Sequence, residues 1–84
     1  MSRKQRINKI LLKVYKEFSI EIIDNSHLHS GHNNFDGSNE THMKIILNNK
    51  FSKSINRLNI HRNINELMKN EFQNGLHSLE IKIN

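Results

Sequence analysis

The spacing of apolar residues changes several times along this chain, and those changes determine which elements can form. The first stretch follows Ser2, a residue type that caps helix N-termini, and its apolar residues recur at intervals of three or four. This apolar stripe consists of Ile7, Ile10, Leu11, Val14 and Phe18. The pattern predicts an amphipathic first helix with one face against a core and basic residues on its other faces.

Two strands are predicted next. From Ser19 the apolar spacing falls to two, which indicates that residues 20–25 form a strand. Residues 40–47 repeat this alternation and predict a second strand, one face of which carries Met43, Ile45 and Leu47. The sequence Asn-Asn-Lys at residues 48–50 is predicted to turn the chain.

Two helices and a last strand are predicted in the second half of the chain. Ser54 is expected to cap a short helix through Asn59, and a longer helix then carries a second apolar stripe. This stripe consists of Ile60, Ile64, Leu67, Met68 and Phe72. The long helix is predicted to end at Asn74-Gly75, because Gly75 can adopt the left-handed conformation of a C-terminal cap. The alternation of residues 78–83 then predicts the final strand.

The predicted order of elements is α-β-β-α-α-β, an α+β fold. A loop joins the first two strands, so they can pair antiparallel, whereas the helical stretch before the last strand is long enough to reach a parallel neighbour. Both apolar stripes then cover one face of a three-stranded mixed sheet, with the helices on that face. Since 84 residues bury only one modest core, we expect residues 1–84 to form a single domain.

The chain is basic, with 13 Lys and Arg against 8 Asp and Glu and a net charge of +5 at pH 7. This charge favours an acidic partner, such as nucleic acid, an acidic protein face or an anionic membrane. The first helical stretch carries either a phosphate-binding surface or an ordinary solvated face, formed by Arg3, Lys4, Arg6, Lys9, Lys13 and Lys16. No apolar run approaches the roughly 20 residues of a membrane span, so we expect no membrane association and a cytosolic or organelle-matrix location.

The chain has no cysteine but six histidines. It therefore has no disulfide, no thiol nucleophile and no thiolate metal ligand of its own. Three of the histidines, His27, His29 and His32, lie in the polar segment of residues 26–39. Loops of this length in a compact domain are usually functional or disordered, so this segment is the first place to expect a site.

The histidines allow more than one interpretation. A zinc site within the chain would need a ligand beyond the three loop histidines, for which Asp36 and His42 are candidates, although the spacing matches no established zinc site. His77 shares the face of the apolar residues of the last strand, so it is either a hydrogen-bonded histidine at the core edge or a ligand. His61 is expected to be structural or part of a partner-facing surface, and His42 otherwise to be a sheet histidine.

Four segments spread over nearly the whole chain carry a family resemblance. They are Ile20-Glu21-Ile22-Ile23-Asp24-Asn25-Ser26-His27 with Gly31-His32; Glu40-Thr41-His42-Met43-Lys44-Ile45; His61-Arg62 with Ile64-Asn65-Glu66-Leu67-Met68-Lys69; and Gly75-Leu76-His77-Ser78-Leu79. In order and spacing they resemble the BolA family, whose fold is similar to a type II KH domain with the element order predicted above. The chain departs from the family at Ile60, where an Arg is usual, and lacks a Gly shortly after Phe51.

The resemblance implies a function. BolA-like proteins pair with monothiol glutaredoxins and share a [2Fe-2S] cluster, using one His at the start of the last strand and a His or Cys in the loop between the first two strands. The first of these corresponds to His77, and the second to His32, with His29 as the less favoured choice. The thiolates would come from a glutaredoxin cysteine and glutathione. The isolated chain is then expected to bind no cluster and to be a monomer or weak homodimer in a bacterial cytosol or mitochondrial matrix.

The alternative function is a nucleic-acid-binding transcriptional regulator, which the basic first helix and the KH-like order favour. Against it, the backbone clamp of a KH domain needs a GxxG loop, and the glycines of this chain, Gly31, Gly37 and Gly75, never have that spacing. An enzyme is not expected, because the chain has no Cys, no glycine-rich phosphate loop and no recognisable pair of catalytic carboxylates. We therefore favour a non-enzymatic role in iron-sulfur or iron homeostasis.

Overall fold

The computed structural model describes residues 2–26, 41–50 and 54–84. Within these ranges the elements follow the predicted order: α1 Arg3–Val14, β1 Phe18–Asp24, β2 His42–Asn49, α2 Arg57–Leu67, α3 Lys69–Gln73 and β3 Ser78–Ile83. The sheet has the order β1-β2-β3, with β1 antiparallel and β3 parallel to the central β2. The predicted mixed sheet is confirmed. None of the helices in these ranges combines the length and the apolar character needed to cross a membrane.

Helix α1 begins where the sequence predicts it, because Ser2 and Gln5 form a capping box. The Ser2 hydroxyl accepts from the backbone N–H of Gln5 at 3.1 Å, and the Gln5 side chain accepts from the backbone N–H of Ser2 at 2.9 Å. The predicted apolar stripe is wrong at its C-terminal end. The backbone leaves the helical conformation at Tyr15, so that Val14 is 47% exposed and Phe18 belongs to β1.

The helical stretch after β2 divides at a different place from the predicted one. Asn56, rather than Ser54, caps its start, because the Asn56 side chain accepts from the backbone N–H of Asn59 at 3.1 Å. The helix continues through residues 59–60 and breaks at Met68, where φ is −90° and ψ is 4°. The predicted boundary is wrong, and the sequence gives no local sign of the observed one, because methionine favours helices. Met68 is fully buried in the core.

The first two strands are displaced by one or two residues from their predicted positions, whereas β3 has the predicted bounds, Ser78–Ile83. Strand β1 begins at Phe18, and β2 continues through Asn48 and Asn49, which were predicted to turn. Asn49 stays in the sheet because it pairs with Phe18 on one side and donates its backbone N–H to the carbonyl of Asn84 at 3.2 Å on the other. The beginning of the predicted second strand, Glu40, lies outside the described residues.

The core lies between the helices and one face of the sheet, as predicted. Its buried members are Ile7, Leu11, Phe18, Ile22, Met43, Ile45, Leu47, Ile64, Met68, Leu76 and Ile83. In β2 the buried residues alternate with half-buried ones on the opposite face. That opposite face of the sheet carries mostly polar side chains, together with Ile23 and Ile46.

The connection from α3 to β3 is a tight turn at Gly75. Its φ of +112° confirms the predicted left-handed cap, a conformation that glycine adopts without steric cost. The backbone N–H of Leu76 donates to the carbonyl of Glu71 at 2.9 Å, which closes the end of the helix. Leu76 enters the core, and β3 begins two residues later.

Candidate functional site

The first residues of β2 and β3 lie side by side because these strands are parallel. His42 begins β2 and is the register partner of Ser78, which begins β3. His77 directly precedes Ser78, and the backbone N–H groups of both donate to the carbonyl of Thr41, at 2.8 and 3.1 Å. Two hydrogen bonds to one carbonyl therefore anchor the backbone of His77 to the end of the sheet at which β2 and β3 begin.

The side chain of His77 is exposed at this end of the sheet. Its imidazole meets that of His42 nearly edge to face, with ring centroids 5.9 Å apart and an interplanar angle of 70°. His77 directly precedes β3 and is exposed, so it does not lie in the buried core. An exposed imidazole on an anchored backbone is suited to binding a metal that a partner presents.

The imidazole of His42 is held by neighbouring residues at the start of β2. It is half-buried, and its Nδ1 forms a hydrogen bond of 3.0 Å with the hydroxyl of Thr41, which is itself buried. The backbone N–H of His42 donates to the Ser26 hydroxyl at 3.3 Å, and its carbonyl accepts from the backbone N–H of Asn25 at 2.8 Å. These contacts hold the half-buried ring of His42 beside the exposed His77 at this end of the sheet.

Ser26 joins the two ends of the segment that carries the loop histidines. It is 1% exposed, and its hydroxyl accepts from the backbone N–H of Thr41 at 2.9 Å. Its own backbone N–H donates to Oδ1 of Asp24 at 2.9 Å. The chain therefore leaves the described structure after Ser26 and returns at Thr41 next to the backbone of His77.

The other predicted ligands cannot be placed in the same way. His29 and His32 lie outside the described residues, as do His27 and Asp36, so only His42 of the possible zinc ligands is described. Within residues 2–26, 41–50 and 54–84, no three His, Cys, Asp or Glu side chains converge in a way that could hold a metal ion. His61 lies half-buried on α2.

A buried ion-pair cluster joins α1 to α3. Arg3 donates from Nε to Oε1 of Glu71 at 2.8 Å, and Arg6 donates from Nε to Oε2 at 2.8 Å and from Nη2 to Oε1 at 2.9 Å. Arg3 also donates from Nη2 to the carbonyl of Asn74 at 2.6 Å. The hydrogen bond from Arg6, followed by that from Arg3, outweighs burial and lowers the pKa of Glu71 to about 2.

This cluster corrects the predicted phosphate-binding surface. Arg3 and Arg6 are engaged with Glu71, so they belong to the fold and not to a free basic face. Lys9 and Lys13 are exposed and border an open groove of about 490 Å³ between α1 and α3. The basis for nucleic-acid binding on α1 is therefore narrower than the sequence indicates, because two of its basic residues are engaged in ion pairs.

The sequence prediction missed two contacts, that of His42 with His77 and that of Arg3 with Glu71, although the sequence contains a signal for each. The contact of His42 with His77 follows from parallel pairing, which brings the starts of β2 and β3 together. The ion pair follows from helical spacing, because Arg3 lies four residues before Ile7, and Glu71 lies seven residues after Ile64. A charged residue on each of two apolar stripes indicates a buried pair.

Comparisons with known proteins identify the family of this fold. A family model described as BolA-like protein matches residues 11–84. A protein of Sinorhizobium sp., described as an uncharacterized protein in the cobS 5′ region, is 36% identical over 83 residues, which cover 98% of this chain and 89% of that protein. BOLA1 of Arabidopsis thaliana, described as chloroplastic, is 30% identical over 82 residues, covering 95% of this chain and 51% of that protein.

Solved structures extend the similarity to the whole fold. BolA1 from Arabidopsis thaliana matches with a TM-score of 0.79 and 29% identity, and the BolA domain of SufE1 from the same plant with 0.78 and 30%. Both matches cover 100% of this chain and 92% of the other. The helices and the mixed sheet thus form a small α+β domain of known architecture, with His42 and His77 at one end of the sheet. The chain belongs to the BolA-like family.

Proposed function

We propose that this protein is a non-enzymatic partner of a monothiol glutaredoxin, that the two share a [2Fe-2S] cluster, and that its role is in iron-sulfur or iron homeostasis. The observation that carries the proposal is the position of His77. Its side chain is exposed while its backbone is anchored by Thr41, at the end of the sheet where residues 27–40 leave and rejoin the described structure. Membership of the BolA-like family supports the choice of a glutaredoxin as the partner.

The donor atoms of the chain fit a shared cluster and not a self-contained one. A [2Fe-2S] cluster takes four ligands, and imidazoles on one iron give it a higher reduction potential than thiolates alone. This chain has no cysteine, so it offers imidazole nitrogen only. The thiolates are to come from a glutaredoxin cysteine and glutathione, and cluster binding is therefore linked to formation of the heterodimer.

The second imidazole is assigned to His32, with His29 as the less favoured choice. The support is the hydrogen bond between the Ser26 hydroxyl and the backbone of Thr41, which holds both ends of their segment beside His77. A ligand in this segment starts from an anchored base, which lowers the conformational entropy lost when the complex forms.

The experiment is anaerobic assembly from this chain, a monothiol glutaredoxin, glutathione, ferrous iron and sulfide. Visible absorbance and circular dichroism report the ligands of the cluster, and size-exclusion chromatography reports the heterodimer. We expect a spectrum distinct from that of the glutaredoxin alone, and its loss in His77→Ala. His61→Gln is the matched control, because it removes a half-buried imidazole on α2.

The outcomes separate the parts of the proposal. A His77→Ala complex with the wild-type spectrum would refute the assignment of His77. His32→Ala and His29→Ala, compared in the same assembly, identify the second ligand, and we expect the larger spectral change for His32. Failure of the wild-type chain to form a heterodimer with and without iron would reject the glutaredoxin partner itself.

A further inference from the structure

An exposed ligand side chain has an entropic disadvantage. His77 follows the buried Leu76 on a short connection, and its imidazole lies in solvent. Solvent-exposed side chains sample several staggered rotamers, and fixing one of them weakens binding. A site of this kind gains from a neighbour that orders the ligand before the partner arrives.

The ring of His42 is such a neighbour. It contacts the imidazole of His77 nearly edge to face, a geometry that attracts aromatic rings beyond simple contact. Its own orientation is limited by its half-buried position at the start of β2, and its Nδ1 also forms a hydrogen bond with the buried Thr41 hydroxyl. The half-buried ring therefore stands beside the exposed one before any partner binds.

We propose that His42 is a positioning residue for His77, and that its ring limits the rotamers of the His77 side chain so that the imidazole is presented to the partner in one orientation. This inference rests on the proposed function for its purpose, but the ordering itself belongs to the isolated chain. The role requires an aromatic ring at position 42 and no proton or metal bond from it. A phenylalanine at this position therefore retains it, whereas an alanine does not.

The test is NMR spectroscopy of the chain alone. Three-bond couplings about the Cα–Cβ bond of His77 measure its rotamer distribution in the wild type, His42→Ala, His42→Phe and the control His61→Gln. We expect a single dominant rotamer in the wild type and the control, averaging between rotamers in His42→Ala, and recovery in His42→Phe. Amide chemical shifts of the core show that each variant is folded.

Two results would overturn the inference. One is a folded His42→Ala variant whose His77 couplings equal those of the wild type, and the other is averaging in His42→Phe equal to that in His42→Ala. A general loss of structure would instead move amide shifts throughout the core, which distinguishes it from an effect confined to His77.

Assembly with the glutaredoxin then measures the consequence of positioning. We expect His42→Ala to weaken cluster-dependent heterodimer formation about two- to tenfold, which is the factor that the interaction energy of one aromatic pair corresponds to. We expect His42→Phe to restore the wild-type affinity. If His77→Ala keeps the wild-type cluster, the assignment of His77 as a ligand fails while the rotamer measurement still decides the role of His42. If only the rotamer measurement fails, the cluster proposal is unaffected.

Discussion

The side chains of Arg3 and Glu71 meet at an Nε to Oε1 distance of 2.8 Å although they are 68 positions apart in sequence. Only 10% and 9% of their side-chain surfaces are exposed. Arg3 also reaches the carbonyl of Asn74, directly before the Gly75 turn. One guanidinium thus connects the first turn of α1 with the turn that leads to His77.

We expect Glu71→Gln to lower the free energy of unfolding at pH 7 by roughly 3 kcal/mol, because removing one partner of a buried ion pair leaves the other charge uncompensated. Urea denaturation followed by circular dichroism measures the change. Glu66→Gln is the control, since Glu66 is exposed on α2, and its effect should stay within about 0.5 kcal/mol. Equal stabilities of the two variants would contradict a structural role for the cluster.

The contribution of Glu71 to stability should depend on pH. Its pKa falls from 4.5 to about 2 on folding, so the unfolded chain binds the proton more tightly. The stabilisation is therefore complete above pH 4.5 and is lost as the pH falls to about 2, and its full size is about 3 kcal/mol. Urea denaturation at several pH values should show the gap between wild type and Glu71→Gln closing in acid. If the difference in unfolding free energy between wild type and Glu71→Gln stayed the same at every pH, the charge of the carboxylate would not be the cause of that difference.

Ser26→Ala should loosen the base of the segment between β1 and β2. The Ser26 hydroxyl accepts from the backbone N–H groups of Thr41 and His42, and their loss of an acceptor should cost about 1–3 kcal/mol. Hydrogen exchange of the Thr41 amide should accelerate. Ser19→Ala, on the exposed side of β1, is the control and should leave that amide unchanged. If the Thr41 amide of Ser26→Ala exchanged as slowly as in the wild type, Ser26 would not be what holds the backbone of Thr41.

Gly75→Ala should destabilise the turn before His77 by roughly 1–3 kcal/mol, because other residues adopt a φ of +112° only with strain. The cost is conformational, since an added Cβ would lie 3.4 Å from Nη2 of Arg3, at ordinary contact distance. Thermal unfolding measures the loss, with Gln73→Ala at an exposed position of α3 as the control. A Gly75→Ala variant as stable as this control would show that the turn tolerates a side chain.

The elements that sequence periodicity predicts well are those whose signal is local. The Ser2 cap, the alternating residues of β2 and β3 and the Gly75 cap each depend on neighbours within a few positions. The break at Met68 has no local signal, because the residues around it favour a continuous helix. Its position depends on packing across the core, where Met68 is buried and Glu71 lies within reach of Arg3.

The residues of the candidate site are also predicted only in part by the sequence. The family resemblance identifies His77, and the structure shows it exposed at one end of the sheet. The contact with His42 needs the strand register, which alternation alone does not determine, because it defines faces and not partners. Helical spacing places Arg3 on the apolar stripe of α1, but the engagement of Arg6 with the same carboxylate follows only from how α1 and α3 meet.

The hydrogen bond between Ser26 and Thr41 makes the sheet insensitive to what lies between them. Once the base of a loop is closed, doubling its length costs only about 0.6 kcal/mol, and the strand register beyond the closure need not change. Insertions, deletions and substitutions within residues 27–40 can therefore accumulate without loss of folding. Natural variation can therefore change this stretch of the chain while the framework that carries His77 is inherited unaltered.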